Sequence, residues 1–191
     1  MASHKKGARR RGAWIVFQDE SGFSLLPPVR ATWSPRGQTP VLQARFSWKR
    51  LSMAAAVAYA PDGFSTMLVF QMRPGAYNDQ SIIEFLEDLR QHLDGAKATL
   101  IWDGLPSHRS RRMQAWIADQ RRWLVVERLP GYAPDLNPVE LLWGNLKGSE
   151  LANLCPDTID EAATHAEAGL QRIGDDADLC FAFLHHCGLS L

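Results

Sequence analysis

The chain has 191 residues, of which 46% are hydrophobic and 22% are charged, and its 21 basic and 21 acidic side chains give a formal net charge of zero. This size and composition predict one globular core and exclude a largely disordered chain. A net charge of zero argues against a protein that binds nucleic acid through its overall charge alone. No apolar run reaches the roughly 18 residues of a membrane span, and no signal-peptide core follows the basic N-terminus, so the sequence predicts a cytoplasmic protein.

The charges are unevenly spread along the chain. Residues 1–12 carry five basic side chains and no acidic one, whereas the charged residues after Cys155 are acidic except for Arg172. Residues 1–12 are therefore predicted to be a basic arm or a linker remnant, and residues 13–191 a single domain. Such an arm either lies on phosphates or is a solvated tail, and its composition leaves both alternatives open.

The three cysteines predict no disulfide framework. Cys155, Cys180 and Cys187 form no C-x-x-C pair, and an odd number leaves one thiol over in any pairing. The sequence His185-His186-Cys187 lacks a second ligand pair at zinc spacing. We therefore expect reduced thiols, and the end of a helix in place of a zinc site.

Five β-compatible runs predict the strands of a sheet. They cover residues 13–18, 49–59, 64–71, 98–102 and 123–129. The turn sequence Pro61-Asp62-Gly63 joins the second and third runs into a hairpin. The proline-rich residues 25–43 are predicted to be irregular, with one short strand at 31–34.

Helical spacing of apolar residues predicts five helices. They cover residues 78–93, 107–120, 137–147, 158–173 and 175–186. The first of them is long enough to cross over the sheet, which makes parallel pairing of the first and fourth strands natural. The order of elements predicts an α/β fold: a mixed five-stranded sheet, with three antiparallel strands followed by two parallel ones, flanked by helices.

The stretch from Leu129 to Lys147 joins a proline-rich loop to the start of a helix. Asn137 is suited to the N-cap and Pro138 to the first helical position, which places Glu140 in the first turn. One interpretation is that Glu140 only accepts a hydrogen bond from the N-cap amide. The other interpretation is that Glu140 helps to hold a metal ion. The spacing of Glu140, Trp143 and Lys147 puts a carboxylate, an aromatic ring and a cation on one helix face.

Two further carboxylates follow predicted strands. Asp19 comes after the first strand and Asp103 after the fourth, and the ends of these two strands are expected to be neighbours. Together with Glu140 they would make three carboxylates, an oxygen-rich site of the kind that Mg²⁺ prefers. The alternative is that all three are ordinary turn and cap residues.

Three segments resemble the catalytic blocks of mariner-type transposases and their bacterial insertion-sequence relatives, the DDE superfamily endonucleases. The sequence from Tyr132 to Glu140, followed by Trp143, is similar to the third block. Gln18-Asp19-Glu20-Ser21 is similar to the first, and Ile101-Trp102-Asp103 to the second. The family often has Asn after the second Asp, where this chain has Gly104. The resemblance implies a ribonuclease-H-like fold.

The resemblance also implies a reaction and its residues. Asp19, Asp103 and Glu140 would be catalytic and would bind two Mg²⁺ ions, with Mn²⁺ as a substitute; Asp19 would bridge the ions. The implied reactions are nicking of DNA at element ends, followed by strand transfer with a 3′-hydroxyl as the nucleophile. The alternative is an inactive or truncated remnant that acts only as a DNA-binding module.

Double-stranded DNA is the implied partner, and phosphate contacts are expected from basic side chains across the chain. The candidates are Lys5, Lys6, Arg9, Arg10, Arg11, Arg36, Lys49, Arg50, His108, Arg109, Arg111, Arg112 and Lys147. For His108, general base catalysis and a plain capping or surface position are the alternatives. The resemblance implies helix-turn-helix modules ahead of the catalytic domain, and this sequence has none. The alternatives are one half of a split reading frame, a truncated remnant, or a chain that needs a partner, such as a separately encoded helix-turn-helix subunit, to find specific ends. The resemblance also allows a homodimer.

Overall fold

The computed structural model describes residues 11–44, 49–131 and 133–190. A five-stranded sheet in the order β3-β2-β1-β4-β5 forms its central layer. The strands are β1 Trp14–Ser24, β2 Arg50–Tyr59, β3 Thr66–Pro74, β4 Ala98–Trp102 and β5 Leu124–Arg128. Strands β1 to β3 are antiparallel, and β4 and β5 pair in parallel with β1 and with each other. The mixed sheet predicted from the order of elements is confirmed.

Helices cover both faces of this sheet. They are α1 Asp79–His92, α2 Arg111–Asp119, α3 Pro138–Gly148, α4 Ile159–Gly174 and α5 Ala177–His186, and short 3-10 turns occur at Ser107–Arg109 and Pro134–Leu136. Helix α1 connects β3 to β4 and is the predicted crossover. Within the described part of the chain, no helix is long and apolar enough to cross a membrane.

Strand β1 is longer than its sequence predicts. The apolar run ends at Gln18, but the strand continues to Ser24 because β2 pairs with it from Ile15 as far as Ser24, which lies opposite Arg50. Strand β4 accompanies β1 only as far as Phe17. The prediction that Asp19 ends the first strand is therefore wrong. Asp19 lies inside β1, just past the point where its parallel neighbour stops.

Two other predicted elements differ in the structure. No strand forms in the described residues 25–44, so the short strand predicted at 31–34 is wrong. The predicted helix at 107–120 is interrupted at Ser110, whose extended backbone (φ −61°, ψ 155°) ends the 3-10 turn. The Ser110 hydroxyl then accepts the Met113 amide and caps α2, so one predicted helix becomes a turn and a helix.

Alternate residues of the strands belong to two separate hydrophobic cores, because successive side chains of a strand point to opposite faces of the sheet. Val16 packs with the buried side chains of α1 and α2. Phe17 packs with α3, α4 and α5 on the other face. This alternation fixes which face the polar side chains further along β1 must take.

The three cysteines, Cys155, Cys180 and Cys187, are free thiols, as predicted. Cys180 and Cys187 are buried on α5 and at its C-terminal cap. The backbone carbonyl of Cys180 accepts the Tyr59 hydroxyl at 2.8 Å, which ties α5 to β2.

Candidate active site

The candidate site lies where β1 loses its parallel neighbour. The last paired positions are Phe17 and Ile101, two residues before Asp19 and Asp103. Strand β4 ends at Trp102, while β1 runs on beside β2 alone. The carboxyl end of a parallel strand next to such a change of pairing is a common position for a binding site in an α/β sheet.

Asp19 is buried, with 8% of its surface exposed. Its position in β1 has the same parity as Phe17, so its side chain faces α3, where the indole N–H of Trp143 donates to Oδ2 at 2.9 Å. Burial, and then the negative charges of Glu140 and Glu20, raise the pKa of Asp19 to about 7, against the opposing effect of the Trp143 hydrogen bond. A carboxylate in this environment favours a nearby cation.

Glu140 lies in the first turn of α3 and is exposed. The cap of this helix does not use it: the Asn137 side chain accepts the Val139 amide, and the Asn137 amide donates to the Pro134 carbonyl. The interpretation of Glu140 as a partner of the N-cap amide is therefore wrong. Its charge acts instead on Asp19.

Helix α3 presents its predicted face to β1. Trp143 bonds Asp19, and the Lys147 ammonium donates to the Ser21 hydroxyl at 2.7 Å. Glu140, one turn before Trp143, completes the row. Two members of the i, i+3, i+7 row thus contact β1, and the third acts through its charge on Asp19.

Asp103 directly follows β4, and 40% of its side chain is exposed. Its Oδ1 atom accepts the Leu105 amide at 3.0 Å and lies 2.9 Å from His108 Nδ1. Burial raises the pKa of Asp103, but the hydrogen bonds from His108 and Leu105 and the charges of His108 and Arg109 outweigh it, so the pKa lies below its ordinary value. Asp103 is therefore held as a carboxylate.

His108 is buried, with 0% of its side chain exposed, and stacks on Trp102 with the ring centroids 4.1 Å apart. Its Nε2 atom lies 3.1 Å from Glu20 Oε1, so the ring bridges two carboxylates. Burial lowers the pKa of His108, but the hydrogen bonds to Asp103 and Glu20 and the charge of Glu20 raise it to about 9. The predictions of a DNA contact and of a surface position for His108 do not agree with this burial.

Glu20 is the functional candidate that the sequence reading left without a role. Only 12% of its side chain is exposed, and its Oε1 atom accepts Gln18 Nε2 at 3.0 Å. Within the described residues, its Oε2 atom is buried without a hydrogen-bond partner. Consecutive side chains of a strand point to opposite faces of the sheet. Once β1 is known to include both residues, this rule predicts that Asp19 and Glu20 have different environments.

The donor set suits a hard divalent cation, because Asp19, Asp103 and Glu140 offer only carboxylate oxygens. Burial, and then the charges of Glu140 and Glu20, raise the pKa of Asp19, and a bound cation would oppose these effects by stabilising the carboxylate. In the described part of the chain, no three His, Cys, Asp or Glu side chains are grouped closely enough to hold a metal ion. The described side-chain contacts of Asp103 go to Leu105 and His108.

The basic residues predicted to contact DNA have different environments. Arg109 and Arg111 are exposed next to the site. Arg112 pairs with α1, since its Nη1 atom lies 3.7 Å from Oδ1 of Asp79. Arg11 donates to the Thr99 hydroxyl at 2.8 Å, near the opposite end of β4 from Asp103. Arg36, Lys49 and Arg50 are exposed in or near the connection between β1 and β2, and Lys5, Lys6, Arg9 and Arg10 lie outside the described residues.

A family model described as DDE superfamily endonuclease matches residues 14–163 of this chain. The IS630 uncharacterized 39 kDa protein of Shigella sonnei is 28% identical over 130 residues, which are 68% of this chain and 36% of that protein. The Tc1 transposase of Caenorhabditis elegans is 25% identical over 165 residues, which are 76% of this chain and 55% of that protein. The chain thus spans between about a third and about half the length of these relatives.

Solved transposase structures share the fold. The Mos1 strand transfer complex matches with a TM-score of 0.67 at 18% identity, over 97% of this chain and 54% of that chain. A mariner Mos1 paired-end complex with Mg matches with a TM-score of 0.64 at 19% identity, over 97% of this chain and 55% of that chain. The predicted ribonuclease-H-like arrangement is confirmed. By the family match over most of its length, the chain belongs to the DDE superfamily endonucleases.

Proposed function

We propose that residues 13–191 form the catalytic domain of a DDE transposase, which cleaves phosphodiester bonds at the ends of a DNA element and joins the 3′-hydroxyl to target DNA. Asp19, Asp103 and Glu140 are its proposed catalytic residues and metal ligands. The proposed ions are Mg²⁺, with Mn²⁺ as a substitute. Membership of the endonuclease family and the similarity to the Tc1 transposase support this reaction class.

The environment of Asp19 carries the proposal. This carboxylate is buried against α3, and the charges of Glu140 and Glu20 act on it from nearby. Burying a carboxylate beside two others costs free energy that a purely structural residue would not need to incur, and a bound divalent cation offsets that cost. Asp19 therefore fits a metal ligand better than it fits a turn residue.

The chemistry requires such ligands. In-line attack on a phosphodiester needs an activated oxygen nucleophile and stabilisation of the departing oxyanion, and a pair of Mg²⁺ ions supplies both. Asp19 and Glu140 contribute negative oxygens from β1 and α3, and Asp103 contributes one from the end of β4. The Trp143 indole donates to Oδ2 of Asp19 and so fixes the orientation of this carboxylate.

We propose double-stranded DNA as the substrate, with the exposed Arg109 and Arg111 as the nearest phosphate contacts. Both lie beside the loop that follows Asp103, and the charge of Arg109 already acts on that carboxylate. Binding through such contacts weakens steeply as salt is raised. A separately encoded helix-turn-helix subunit and a homodimer stay proposals, which measurements of mass with and without DNA would test.

The test is nicking of supercoiled plasmid during titration with Mg²⁺ or Mn²⁺. We expect Asp19→Asn, Asp103→Asn and Glu140→Gln each to lower the rate at least about a hundredfold, because bound metal supplies several kcal/mol of transition-state stabilisation. Glu167→Gln is the matched control, since Glu167 is an exposed carboxylate of α4. It should nick at the wild-type rate.

Other outcomes would point elsewhere. Retardation of DNA without cleavage in either metal would favour an inactive DNA-binding remnant. Full activity in the Glu140→Gln variant would remove Glu140 from the proposed metal ligands.

A further inference from the structure

Asp103 has a supporting pair of residues that the proposed function does not include. His108 contacts Asp103 with one ring nitrogen and Glu20 with the other, at 2.9 Å and 3.1 Å. Because both partners are acceptors, both ring nitrogens must act as donors. The ring joins the loop after β4 to β1, across the gap that β4 leaves when it ends.

The ring has little freedom to move. Its side chain is 0% exposed, and it stacks on Trp102 with an angle of 1° between the ring planes. Glu20 is held in turn, since its Oε1 atom also accepts Gln18 Nε2 at 3.0 Å. Asp103, with 40% of its side chain exposed, is thus the most exposed member of a chain of hydrogen bonds in which the Glu20 side chain is 12% exposed and the His108 side chain 0%.

The two oxygens of Asp103 differ because of this arrangement. The described side-chain contacts, from the Leu105 amide and from His108 Nδ1, both go to Oδ1. Among the described residues, no contact to Oδ2 is seen, and the side chain keeps 40% of its surface exposed. A carboxylate fixed through one oxygen presents the other in a defined direction, which reduces the entropy lost when it binds an ion.

We propose that His108, clamped by Glu20, is a positioning residue that orients Asp103 so that its Oδ2 atom is presented to a divalent cation. This inference rests on the proposed function for the identity of the ion. It assigns a role to Glu20 and His108 that differs from metal binding and from contact with DNA.

Two substitutions at one position separate the two contacts of the ring. The amide nitrogen of Asn lies near the place of His Nδ1, so His108→Asn keeps a donor to Asp103 and loses the donor to Glu20. The amide nitrogen of Gln lies near the place of Nε2, so His108→Gln keeps the contact to Glu20 and loses the contact to Asp103. A merely structural role does not distinguish the variants in this direction, because Gln is closer to His in size.

The readout is binding of Mn²⁺ alone, without DNA, measured from the electron paramagnetic resonance signal of the free ion. Buffer at pH 8.5 keeps Asp19 ionised, since its pKa is about 7. We expect His108→Gln to weaken Mn²⁺ binding about tenfold, as loss of an outer-shell partner commonly does, and His108→Asn to stay within about threefold of wild type. Plasmid nicking should follow the same order.

His92 provides the control. Its Nδ1 atom lies 3.3 Å from Oδ1 of Asp88 on the same helix, and 51% of its side chain is exposed. It is therefore a histidine paired with an aspartate outside the site. His92→Asn and His92→Gln should bind Mn²⁺ like wild type. Circular dichroism at the assay temperature shows whether each variant is folded.

Glu20 supplies a second pair of variants should the His108 variants not fold. Glu20→Gln keeps an oxygen acceptor for His108, whereas Glu20→Met has a similar volume and none. The proposal expects Glu20→Met to bind Mn²⁺ more weakly than Glu20→Gln does.

Each outcome decides something. Equal Mn²⁺ affinity in His108→Asn and His108→Gln, or in the two Glu20 variants, would overturn the positioning role and leave the proposed function intact. A wild-type protein that binds no Mn²⁺ and nicks no DNA would overturn the proposed function, and the positioning role with it.

Discussion

Replacing Asp19 by asparagine should stabilise the metal-free protein at alkaline pH while it abolishes activity. Asp19 ionises near 3.8 in an unfolded chain and near 7 in the folded protein. Between these values the folded state binds more protons than the unfolded state, so this residue's contribution to stability is present below pH 4 and is lost as the pH rises through 7. An asparagine side chain at this position would be neutral at every pH and would escape that loss.

The size of the effect follows from the two pKa values. At about 1.4 kcal/mol for each pKa unit, the rise from 3.8 to about 7 corresponds to about 4 kcal/mol in full. About 1.5 kcal/mol of this is already lost at pH 5. The free energy of unfolding of Asp19→Asn, relative to wild type, should therefore increase by about 3 kcal/mol between pH 5 and pH 8.5.

Urea denaturation in EDTA at the two pH values measures this difference. The groups that titrate elsewhere, Asp103 and His108 among them, are present in both proteins, so the comparison isolates Asp19. Asp119→Asn replaces an exposed carboxylate on α2 and should change stability by less than about 0.5 kcal/mol at either pH. Millimolar Mg²⁺ should stabilise the wild type and leave Asp19→Asn unchanged.

A difference between Asp19→Asn and wild type that is the same at pH 5 and pH 8.5 would refute the argument. So would a variant that is less stable than wild type at pH 8.5. In either case Asp19 would not be a carboxylate whose ionisation is opposed by burial and by neighbouring charges.

Three other predictions concern single groups. Trp143→Phe removes the donor to Asp19 but keeps an aromatic ring, so the pKa of Asp19 should rise further and Mn²⁺ affinity should fall more at pH 7 than at pH 8.5. His108 has a pKa of about 9, so wild-type stability in EDTA should fall by on the order of 3 kcal/mol as pH rises from 6.5 to 9, and less in His108→Gln. Gly169→Ala would place a Cβ 2.6 Å from Leu146 Cδ1 between α4 and α3, and urea denaturation should show a loss of about 1–3 kcal/mol.

Local rules in the sequence determined most elements of the fold. The hairpin turn at Pro61-Asp62-Gly63 and the start of α3 at Asn137 each depend on residues a few positions apart. The face of α3 that carries Glu140, Trp143 and Lys147 follows from helical spacing alone. Such features could be predicted because the atoms that decide them are close together in the chain.

Contacts between distant segments decided the rest. Strand β1 extends past Gln18 because β2 supplies hydrogen bonds there, and no property of residues 19–24 in isolation requires it. The connection at residues 25–44 forms no strand because no partner strand lies beside it in the described structure. The length of a strand depends on its neighbours, which a single sequence does not specify.

The candidate site also combines residues that the sequence identifies with contacts that only the tertiary structure decides. The sequence identified Asp19, Asp103 and Glu140 from their positions and from the resemblance of their surroundings to known motifs. The tertiary structure alone brings His108 to Glu20, 88 positions away in the chain, and Trp143 to Asp19, 124 positions away. Burial and charge coupling depend on distance in space, so the chemical state of these carboxylates was set by the tertiary structure.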